Sequence, residues 1–286
     1  MPPTLRIALP KGRLTEGVVR LLADAGIEVR SNGRSYRPAV SDPEVEAKFL
    51  KAQNIPRLVE IGAHDCGFTG HDWVQESGSE LSEVFDTGLD RVALVAAAPE
   101  AIAARLGSLG RPILVASEFE RLTRRFMEDR AWPFLFIRTF GATEVFPPED
   151  ADLILDLTAT GTTLRENRLT VVAEVLRSST RLVASPAALA DPWKAAKLDS
   201  TRTLLAAVLE GRRRVLLEMN VTAEKLTAVV DALPAMKAPT IQELYGARGY
   251  AVKSAVPRAS LPDLILRLRR AGATDLIAYA LEKVIP

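Results

Sequence analysis

Short apolar runs alternate with segments of helical periodicity from the beginning of this chain, and no other feature of the sequence constrains the fold as strongly. Residues 5–9 predict a buried strand. After a turn at 10–13, apolar residues recur at helical spacing: Leu14, Val18, Leu21, Leu22 and Ala25. Such an alternation is typical of βαβ units. The sequence therefore predicts an α/β fold with mostly parallel sheets.

The same alternation continues through the middle of the chain. Apolar runs predict further strands at residues 65–70, 92–98, 112–116, 134–140, 151–157 and 181–184. Helical periodicity predicts helices at residues 55–61, 100–106, 118–130, 169–177 and 200–211. The helix at 200–211 is a candidate connection between two modules.

Length and charge limit the classes of partner. With 286 residues the chain is long for one domain, so two or three domains are expected. Lys and Arg number 37 and Asp and Glu number 36, which gives a net charge of +1. This balance provides no general attraction to nucleic acid or to a membrane surface, so we expect neither as a partner. Any anion site must therefore be local.

Cysteine and histidine content and the first residues bear on the cellular compartment. The single cysteine, Cys66, excludes an internal disulfide, and two histidines are too few for a Cys/His zinc cluster. The first residues lack the charged region and the apolar stretch of about 7 to 15 residues that form a secretory signal. No run reaches the ~20 apolar residues of a membrane span. We expect a cytoplasmic protein.

The last 75 or so residues follow a different order of elements, counted roughly from the predicted boundary. Strands are predicted at 213–221, 240–244, 250–256 and 274–280, and helices at 222–233 and 261–271. The resulting order, β-α-β-β-α-β, is that of a ferredoxin-like domain.

The most informative segment is DLILDLTATGTTLR at residues 152–165. An apolar run ends in Asp156 and leads into a threonine-rich turn around Gly161. Gly161 permits close backbone approach, and the N–H groups of residues 160–163, with the three threonine hydroxyls, offer donors to an anion without adding charge. Asp156 is placed to accept hydrogen bonds from ribose hydroxyls or to hold Mg²⁺.

This turn has two other interpretations. An ordinary polar loop would explain the turn alone, but the preceding apolar strand with its terminal Asp156 favours a pocket for a phosphorylated ribose. A Walker A loop is excluded because the lysine of GxxxxGK[ST] is missing.

Residues 156–167 resemble the 5-phosphoribosyl-1-pyrophosphate (PRPP) loop of the ATP phosphoribosyltransferase family, which begins histidine biosynthesis. Further segments resemble that family in the same order: LPKGRL at 9–14, NIP at 54–56, DCGFTGHD at 65–72, LTRRF at 122–126, and Gly141 with Glu144 and Pro147. In the last part of the chain, LPAMKAPTI at 233–241, YAV at 250–252, Gly272-Ala273 and Glu282-Lys283 resemble the regulatory domain of the long form.

The resemblance implies a fold and a domain organisation. The expected core has two lobes like those of periplasmic binding proteins, followed by a ferredoxin-like (ACT-like) regulatory domain. Lobe I would comprise residues 1–90 and 185–211, lobe II residues 91–184, and the regulatory domain residues 212–286. The assembly would be a homohexamer in equilibrium with dimers.

The resemblance also implies a reaction, in which N1 of ATP displaces pyrophosphate from C1 of PRPP with Mg²⁺ as cofactor. Asp156 and Glu144 would bind the ribose hydroxyls or Mg²⁺. The PRPP site would further include the loop residues Thr158, Ala159, Thr160, Gly161, Thr162 and Thr163. No covalent nucleophile is required, so positioning and charge neutralisation should carry the catalysis.

The ATP side of the expected site lies near the beginning of the chain. Lys11 and Arg13 would act as catalytic cations that face either the pyrophosphate of PRPP or the phosphates of ATP. The remaining residues of this side would be Gly12, Lys51, Gly67, Thr69 and Gly70. The two histidines, His64 and His71, are expected to act as local hydrogen-bonding groups.

Two positions depart from the family's pattern. Lys51 stands where the family usually has an arginine, and a lysine does not reproduce the bidentate grip of arginine on phosphate. Ala93 stands where the family often has a basic residue. Either Arg91 substitutes for it from a shifted position or one anion contact is absent.

Regulation is the last property that the resemblance implies. L-histidine would inhibit the enzyme by binding to the C-terminal domain at a subunit interface. The expected contacts are Met236, Thr240, Ser254 and Asp275, although Thr240 could simply begin a strand.

Three other functions share part of this pattern. A binding or sensing protein would share the two-lobed plan, and a degenerate relative could bind nucleotides without turnover because of Lys51 and Ala93. A purine-type phosphoribosyltransferase would share the PRPP loop but should lack the ferredoxin-like domain.

Overall fold

The fold was determined as a computed structural model, which describes residues 3–31, 35–234, 238–246 and 248–285. Met236, expected at the histidine site, lies outside these ranges. The chain forms two compact units. One comprises Met1–Arg20 and Ile27–Leu198, and the other comprises Leu21–Gly26 and Asp199–Pro286.

The strands are given in chain order for the described residues. They are β1 (Leu5–Lys11), β2 (Val29–Arg30), β3 (Ala39–Val40), β4 (Val45–Lys51), β5 (Cys66–Gly70), β6 (Ser82–Asp86), β7 (Val92–Pro99), β8 (Ile113–Ser117), β9 (Phe134–Arg138), β10 (Leu153–Thr158), β11 (Leu169–Ser178), β12 (Thr180–Ala184), β13 (Arg214–Val221), β14 (Thr240–Glu243), β15 (Tyr250–Pro257) and β16 (Thr274–Ala280).

The α-helices of the same residues follow the same convention. They are α1 (Thr15–Asp24), α2 (Ile55–Glu60), α3 (His71–Ser77), α4 (Glu100–Ala103), α5 (Glu120–Glu128), α6 (Thr162–Glu166), α7 (Pro186–Ala190), α8 (Pro192–Arg213), α9 (Leu226–Asp231) and α10 (Leu261–Ala271). Within the described ranges, none of the helices combines the length and the apolar character that crossing a membrane requires.

Lobe I is built on the sheet β4-β1-β5-β12-β6. β1 pairs in parallel with β4 and β5, whereas β12 pairs antiparallel with β5 and β6. β1 forms because its apolar residues are buried along most of its length. Ala8 of β1 packs with Ile55 and Val59 of α2, which covers this part of the sheet.

Lobe II is built on the sheet β11-β7-β10-β8-β9. The pairs β10-β8 and β8-β9 are parallel, whereas β7 is antiparallel to both β10 and β11. Both lobes therefore have mixed sheets, and the expectation of mostly parallel sheets was wrong. The antiparallel pairs involve the strands next to the two crossings of the chain between lobes, which are β6 and β7 at the first and β11 and β12 at the second.

The structure corrects two further expectations in this unit. Residues 169–177, expected to be a helix, form β11, which pairs with β7 along its whole length. The expected return to lobe I at residue 185 comes earlier, because β12 (Thr180–Ala184) already belongs to the lobe I sheet. The two crossings are joined by hydrogen bonds, since Thr87 Oγ1 donates to the Thr180 carbonyl at 2.7 Å and Thr180 N donates to the Leu89 carbonyl at 2.9 Å.

Helix α3 follows a lobe I strand but packs against lobe II. The Trp73 ring lies 4.5 Å from the Phe119 ring, centroid to centroid, and packs on the main lobe II core. The Glu76 carboxylate accepts hydrogen bonds from the N–H groups of Arg121 and Leu122, both at 3.0 Å, at the beginning of α5. These N–H groups have no acceptor inside their own helix, so lobe I supplies the cap of a lobe II helix.

The C-terminal unit contains the predicted ferredoxin-like domain. Its strand order is β14-β15-β13-β16, with all three pairings antiparallel. β13 alternates between buried and half-buried residues, and its buried residues pack with Leu264 and Leu268 of α10. Gly272, with φ of +105°, ends α10 in the left-handed conformation that glycine favours. The expected two-lobed α/β core with a ferredoxin-like domain is confirmed.

Candidate functional site

Two side chains of the predicted PRPP site share one face of the lobe II sheet. In the pairing of β10 with β7, Asp156 lies opposite Val95 and Thr158 lies opposite Ala93. Because directly opposite residues in a sheet point to the same face, Asp156 and Thr158 project together at the C-terminal end of β10. The neighbouring residues of β7 are small or medium in size, which leaves space above the sheet.

Asp156 is electrostatically unusual for an aspartate. Burial raises the pKa of its carboxyl group to about 6, and the negative charges of Glu144 and Glu118 act in the same direction. One hydrogen bond, donated by Leu157 N to Asp156 Oδ1 at 2.7 Å, opposes this rise. A carboxylate with few donors and two acidic neighbours favours a cation or a ribose hydroxyl as a partner.

The turn after Asp156 is held by its own polar groups. Gly161 has φ of +72°, and its N–H donates to Thr158 Oγ1 at 2.8 Å. Thr160 Oγ1 and Thr162 Oγ1 are 2.9 Å apart. The expectation that the N–H groups of residues 160–163 all face an anion was therefore wrong for Gly161. The N–H groups of Thr162 and Thr163 begin α6, where a helix provides no acceptor.

Arg165 completes this turn and was not predicted. Its guanidinium donates to the Thr160 carbonyl at 3.0 Å and to Thr162 Oγ1 at 3.1 Å. The side chain places a positive charge directly beside the exposed threonines. The turn is thus held in one conformation and carries a cation in addition to its neutral donors.

A cavity of about 670 Å³ opens beside this turn. Its lining includes four predicted loop residues, Thr158, Ala159, Thr160 and Gly161, but not Asp156 or Glu144. The other lining residues come from β6, β7, β11, β12 and the segments that join them: Asp86, Arg91, Val92, Ala93, Val95, Glu174, Arg177, Ser178, Ser179 and Arg181. Sequence reasoning identified Arg91 but missed Arg177 and Arg181. Each of these is the single arginine of its strand, so no local pattern marked it.

The predicted ATP-side cations lie together at the end of the lobe I strands. Lys11 and Lys51 are direct cross-strand neighbours, and Lys11 Nζ lies 4.0 Å from the centre of the Tyr36 ring. A hydrogen bond with Lys11 lowers the pKa of Tyr36, and the charge of Lys51 acts in the same direction. Opposed like charges are unfavourable, so this end of lobe I has positive charge to offer an anion.

Other predicted ATP-side residues differ in exposure. Gly12 and Arg13 are exposed in the turn after β1, outside the cavity lining. Gly67, Thr69 and Gly70 are buried in β5. A Cβ on Gly67 would lie 2.6 Å from Ile55 Cγ2, and Thr69 Oγ1 donates to the Ala52 carbonyl at 2.8 Å. In the structure Gly67, Thr69 and Gly70 contribute to the packing of lobe I.

The two histidines differ from each other. His71 Nδ1 lies 2.5 Å from Glu83 Oε1, which confirms a local hydrogen bond. His64 does not match this expectation, because its buried Nδ1 has no hydrogen-bond partner in the structure. Burial and the nearby charges of Lys48 and Arg6 lower the pKa of His64, so the imidazole is neutral near pH 7.

Comparison with known proteins decides the family. The model of the ATP phosphoribosyltransferase family matches residues 51–207, and the model of that family's C-terminal domain matches residues 211–283. This chain belongs to the ATP phosphoribosyltransferase family. The presence of both matches identifies it with the long form.

Individual relatives agree with this assignment. An ATP phosphoribosyltransferase of Desulforudis audaxviator is 40% identical over 99% of both chains, and one of Solibacter usitatus is 35% identical over 98% of this chain and 99% of the relative. Among solved structures, an ATP phosphoribosyl transferase (HisG:HisZ) complex from Thermotoga maritima superposes with a TM-score of 0.63 at 26% identity, covering 71% of this chain and 98% of that one.

An ATP phosphoribosyltransferase is expected to use Mg²⁺, and the chemistry of Asp156 and Glu144 allows a test of fit. No group of three or more His, Cys, Asp or Glu side chains suited to a metal occurs in the described part of the chain. One or two carboxylates together with substrate oxygens are, however, the usual ligands of Mg²⁺. The residues fit an ion that arrives with substrate.

Within one chain, the described residues of the expected histidine site lie apart from one another. Thr240 lies on the edge strand β14 and Asp275 on the opposite edge strand β16. Three strand spacings separate them, or about 14 Å. Ser254 is buried opposite Leu217, on the face that packs against α10.

Proposed function

We propose that this member of the family joins N1 of ATP to C1 of PRPP, giving N1-(5-phospho-β-D-ribosyl)-ATP and pyrophosphate, as the first step of L-histidine biosynthesis. The observation that carries the proposal is the placement of Asp156 and Thr158 on one face at the end of β10, continued by the threonine turn beside a large cavity.

In this reaction the bond from C1 to the pyrophosphate oxygen breaks with its electron pair on oxygen, and the adenine N1 forms the new bond to C1. The transition state carries positive charge on the ribose and growing negative charge on pyrophosphate. Thr160, Thr162 and Thr163 would hold the 5-phosphate through hydroxyl and N–H donors, with Arg165 beside them. Preorganised donors of this kind lower the barrier because they need not reorient.

Asp156 and Glu144 would bind the ribose hydroxyls and, with substrate oxygens, Mg²⁺. The metal would supply charge neutralisation for the two anionic substrates. Asp156 contributes a carboxyl group whose raised pKa returns toward its ordinary value when a cation or hydroxyl donors arrive. The ionised form of Asp156 is therefore more stable with substrate bound than in the free protein.

ATP would occupy the lobe I side. Lys11, Arg13 and Lys51 would contact its phosphates, with Gly12 allowing close approach in the turn. Gly67, Thr69 and Gly70 would act indirectly by shaping β5 behind the nucleotide. The opposed lysines support this assignment, because a bound polyanion would relieve their mutual repulsion.

L-histidine would act as a feedback inhibitor, and the enzyme would exist as a cytoplasmic homohexamer in equilibrium with dimers. Because Thr240 and Asp275 lie on opposite edges of one sheet, a histidine site using both needs a second protomer. Met236 and Ser254 complete the proposed set. Inhibition then requires histidine to bind one packing of the protomers more tightly than another.

The test is pyrophosphate release from the purified protein with ATP, PRPP and Mg²⁺, repeated with added L-histidine. We expect turnover that needs both substrates and that histidine suppresses. Turnover that is insensitive to histidine would remove the regulatory proposal. PRPP binding without turnover would contradict the catalytic proposal and favour a nucleotide-binding relative.

A further inference from the structure

Strand β11 contains two register shifts against β7, one between Val171 and Ala173 and one between Glu174 and Leu176. Residues three positions apart in a regular strand point to opposite faces. The second shift places one additional residue in β11, so that Glu174 lies opposite Val95 and Arg177 lies opposite Ala93. Glu174 and Arg177 therefore project from the same face although they are three positions apart. Bulges commonly redirect side chains next to active sites. Here the bulge places Arg177 on the same face as the PRPP turn.

The pairing on both sides of β7 aligns three residues in one row. Ala93 lies opposite Arg177 on one side and opposite Thr158 on the other. Two strand spacings, about 10 Å, therefore separate Arg177 from Thr158 at the backbone. The methyl group of Ala93 is the only side chain between them in this row, and a long arginine can extend over it.

The charge of Arg177 is available to a ligand. Its side chain is 83% exposed and pairs with Glu174, with Nε donating to Oε1 at 2.7 Å and Nη2 donating to Oε2 at 3.4 Å, which leaves Nη1 for a ligand. The exposed guanidinium retains donors that face solvent in the cavity wall. Arg91 and Arg181 line the same cavity. Arg181 Nη1 pairs with Asp86 at 2.8 Å, whereas Arg91 Nε donates to the Gly88 carbonyl at 3.2 Å, and neither residue lies in the row that joins Ala93 to Thr158.

We propose that Arg177 reaches across Ala93 and binds the pyrophosphate group of PRPP. The sequence left open whether Arg91 replaces the basic residue missing at position 93 or whether that contact is lost. Arg177 provides a third possibility, in which the positive charge that position 93 lacks comes from the neighbouring strand β11 and reaches the same space. The inference rests on the proposed function, because it assumes that the turn at residues 158–163 holds the other end of PRPP.

The first experiment measures binding of inorganic pyrophosphate, in the presence of Mg²⁺, by calorimetry. Arg177→Ala should weaken this binding about 10- to 100-fold, the usual range for a charge-assisted hydrogen bond. Arg177→Lys should recover only part of the affinity, because lysine lacks the planar pair of donors. Arg125→Ala is the control, since Arg125 is an exposed lobe II arginine outside the cavity lining.

The second experiment places the positive charge at position 93 on β7 instead of position 177 on β11. Ala93→Arg combined with Arg177→Ala should restore most of the pyrophosphate affinity and lower the KM for PRPP that Arg177→Ala raises. The KM for ATP should change little in all of these variants. Circular dichroism establishes that each variant is folded.

Several results would overturn the inference. These are unchanged pyrophosphate binding in Arg177→Ala, an effect confined to the KM for ATP, or a folded double variant that regains no affinity. Failure of the proposed function is separate from these: a wild-type protein without turnover would contradict the reaction, whereas pyrophosphate binding would still report on Arg177.

Discussion

Asp156, proposed to bind PRPP, carries an energetic cost in the folded protein. Burial raises the pKa of its carboxyl group from 3.8 to about 6, so the folded protein binds this proton more tightly than the unfolded chain does. The stabilising effect of the protonated form is complete below pH 3.8 and is lost as the pH rises through about 6. At neutral pH the folded state therefore carries the cost of a charged, poorly solvated carboxylate.

Asp156→Asn should remove this cost and weaken PRPP binding at the same time. We expect the unfolding temperature to rise above pH 6.5, corresponding to on the order of 1 to 3 kcal/mol, with little change at pH 4. Thermal unfolding between pH 4 and pH 8, with PRPP binding measured by calorimetry, checks both effects. A variant that is less stable than the wild type at pH 8 would contradict the electrostatic argument.

Asp65 presents the opposite balance. Burial is the largest single effect and would raise the pKa of its carboxyl group, but the hydrogen bonds from Arg6 and Lys194 and the charge of Arg6 together keep the pKa below its ordinary value. Arg6 Nη2 lies 3.0 Å and Lys194 Nζ 2.9 Å from Asp65 Oδ1. A carboxyl group with a lowered pKa stabilises the fold above its unfolded pKa and loses this contribution as the pH falls.

Asp65→Asn should therefore destabilise the protein by about 3 kcal/mol at pH 7, because two cations lose a buried partner. Urea unfolding at pH 7 and near pH 3.5 measures the difference from the wild type, which should shrink at the lower pH. Asp199→Asn, at an exposed pair on α8, is the control and should change stability by less than about 0.5 kcal/mol. An equal loss at both pH values would argue against the charge effect.

At the scale of elements, the amino-acid pattern predicted those with one clear period. β1, β5, β7, β10 and the whole order of the C-terminal domain follow the expectations closely. Residues 169–177 failed because Leu169, Val172, Ala173 and Leu176 also fit a helical repeat, and two bulges break the regular alternation of a strand there. The β-branched Thr170, Val171, Val172 and Val175 were the signal for a strand.

The wrong prediction for residues 169–177 also limited how much of the candidate site could be predicted. Asp156 and the turn at 158–163 are contiguous in sequence, so local chemistry was enough to propose them as site residues. Arg177 depends on the register of β11 against β7, and Tyr36 on the approach of a separate segment to Lys11. Side chains that meet only through tertiary pairing leave no local pattern.

The cap that α3 provides for α5 leads to a prediction at the same scale. Glu76→Ala should leave two N–H groups at the beginning of α5 without their acceptor and cost about 1 kcal/mol. Glu76→Gln should recover part of that loss, because an amide oxygen still accepts. Chemical unfolding of both variants beside Glu128→Ala, at the exposed end of α5, measures the effect. Equal stability of Glu76→Ala and the wild type would show that water replaces the cap without cost.

At the scale of the whole molecule, the position of Thr240 and Asp275 on opposite edges of one sheet predicts a subunit complementation. Chains with Thr240→Ala and chains with Asp275→Ala should each lose sensitivity to L-histidine. Co-expressed in equal amounts, they should regain about a quarter of the wild-type sites, because random pairing joins two intact edges at that frequency. Histidine binding to the mixed oligomers measures this. No recovery in mixtures would place the site within a single chain.

The contacts of Trp73 and Glu76 with lobe II also determine which chimaeras of such enzymes should fold. Helix α3 is encoded with lobe I, but its ring fills a lobe II core and its carboxylate caps a lobe II helix. A chimaera joined at the crossing near Thr87 would pair lobe II with an α3 from the other parent and mismatch both contacts. Gene fusions between relatives should therefore give folded enzymes more often when the junction precedes His71, so that α3 is inherited together with the lobe on which it packs.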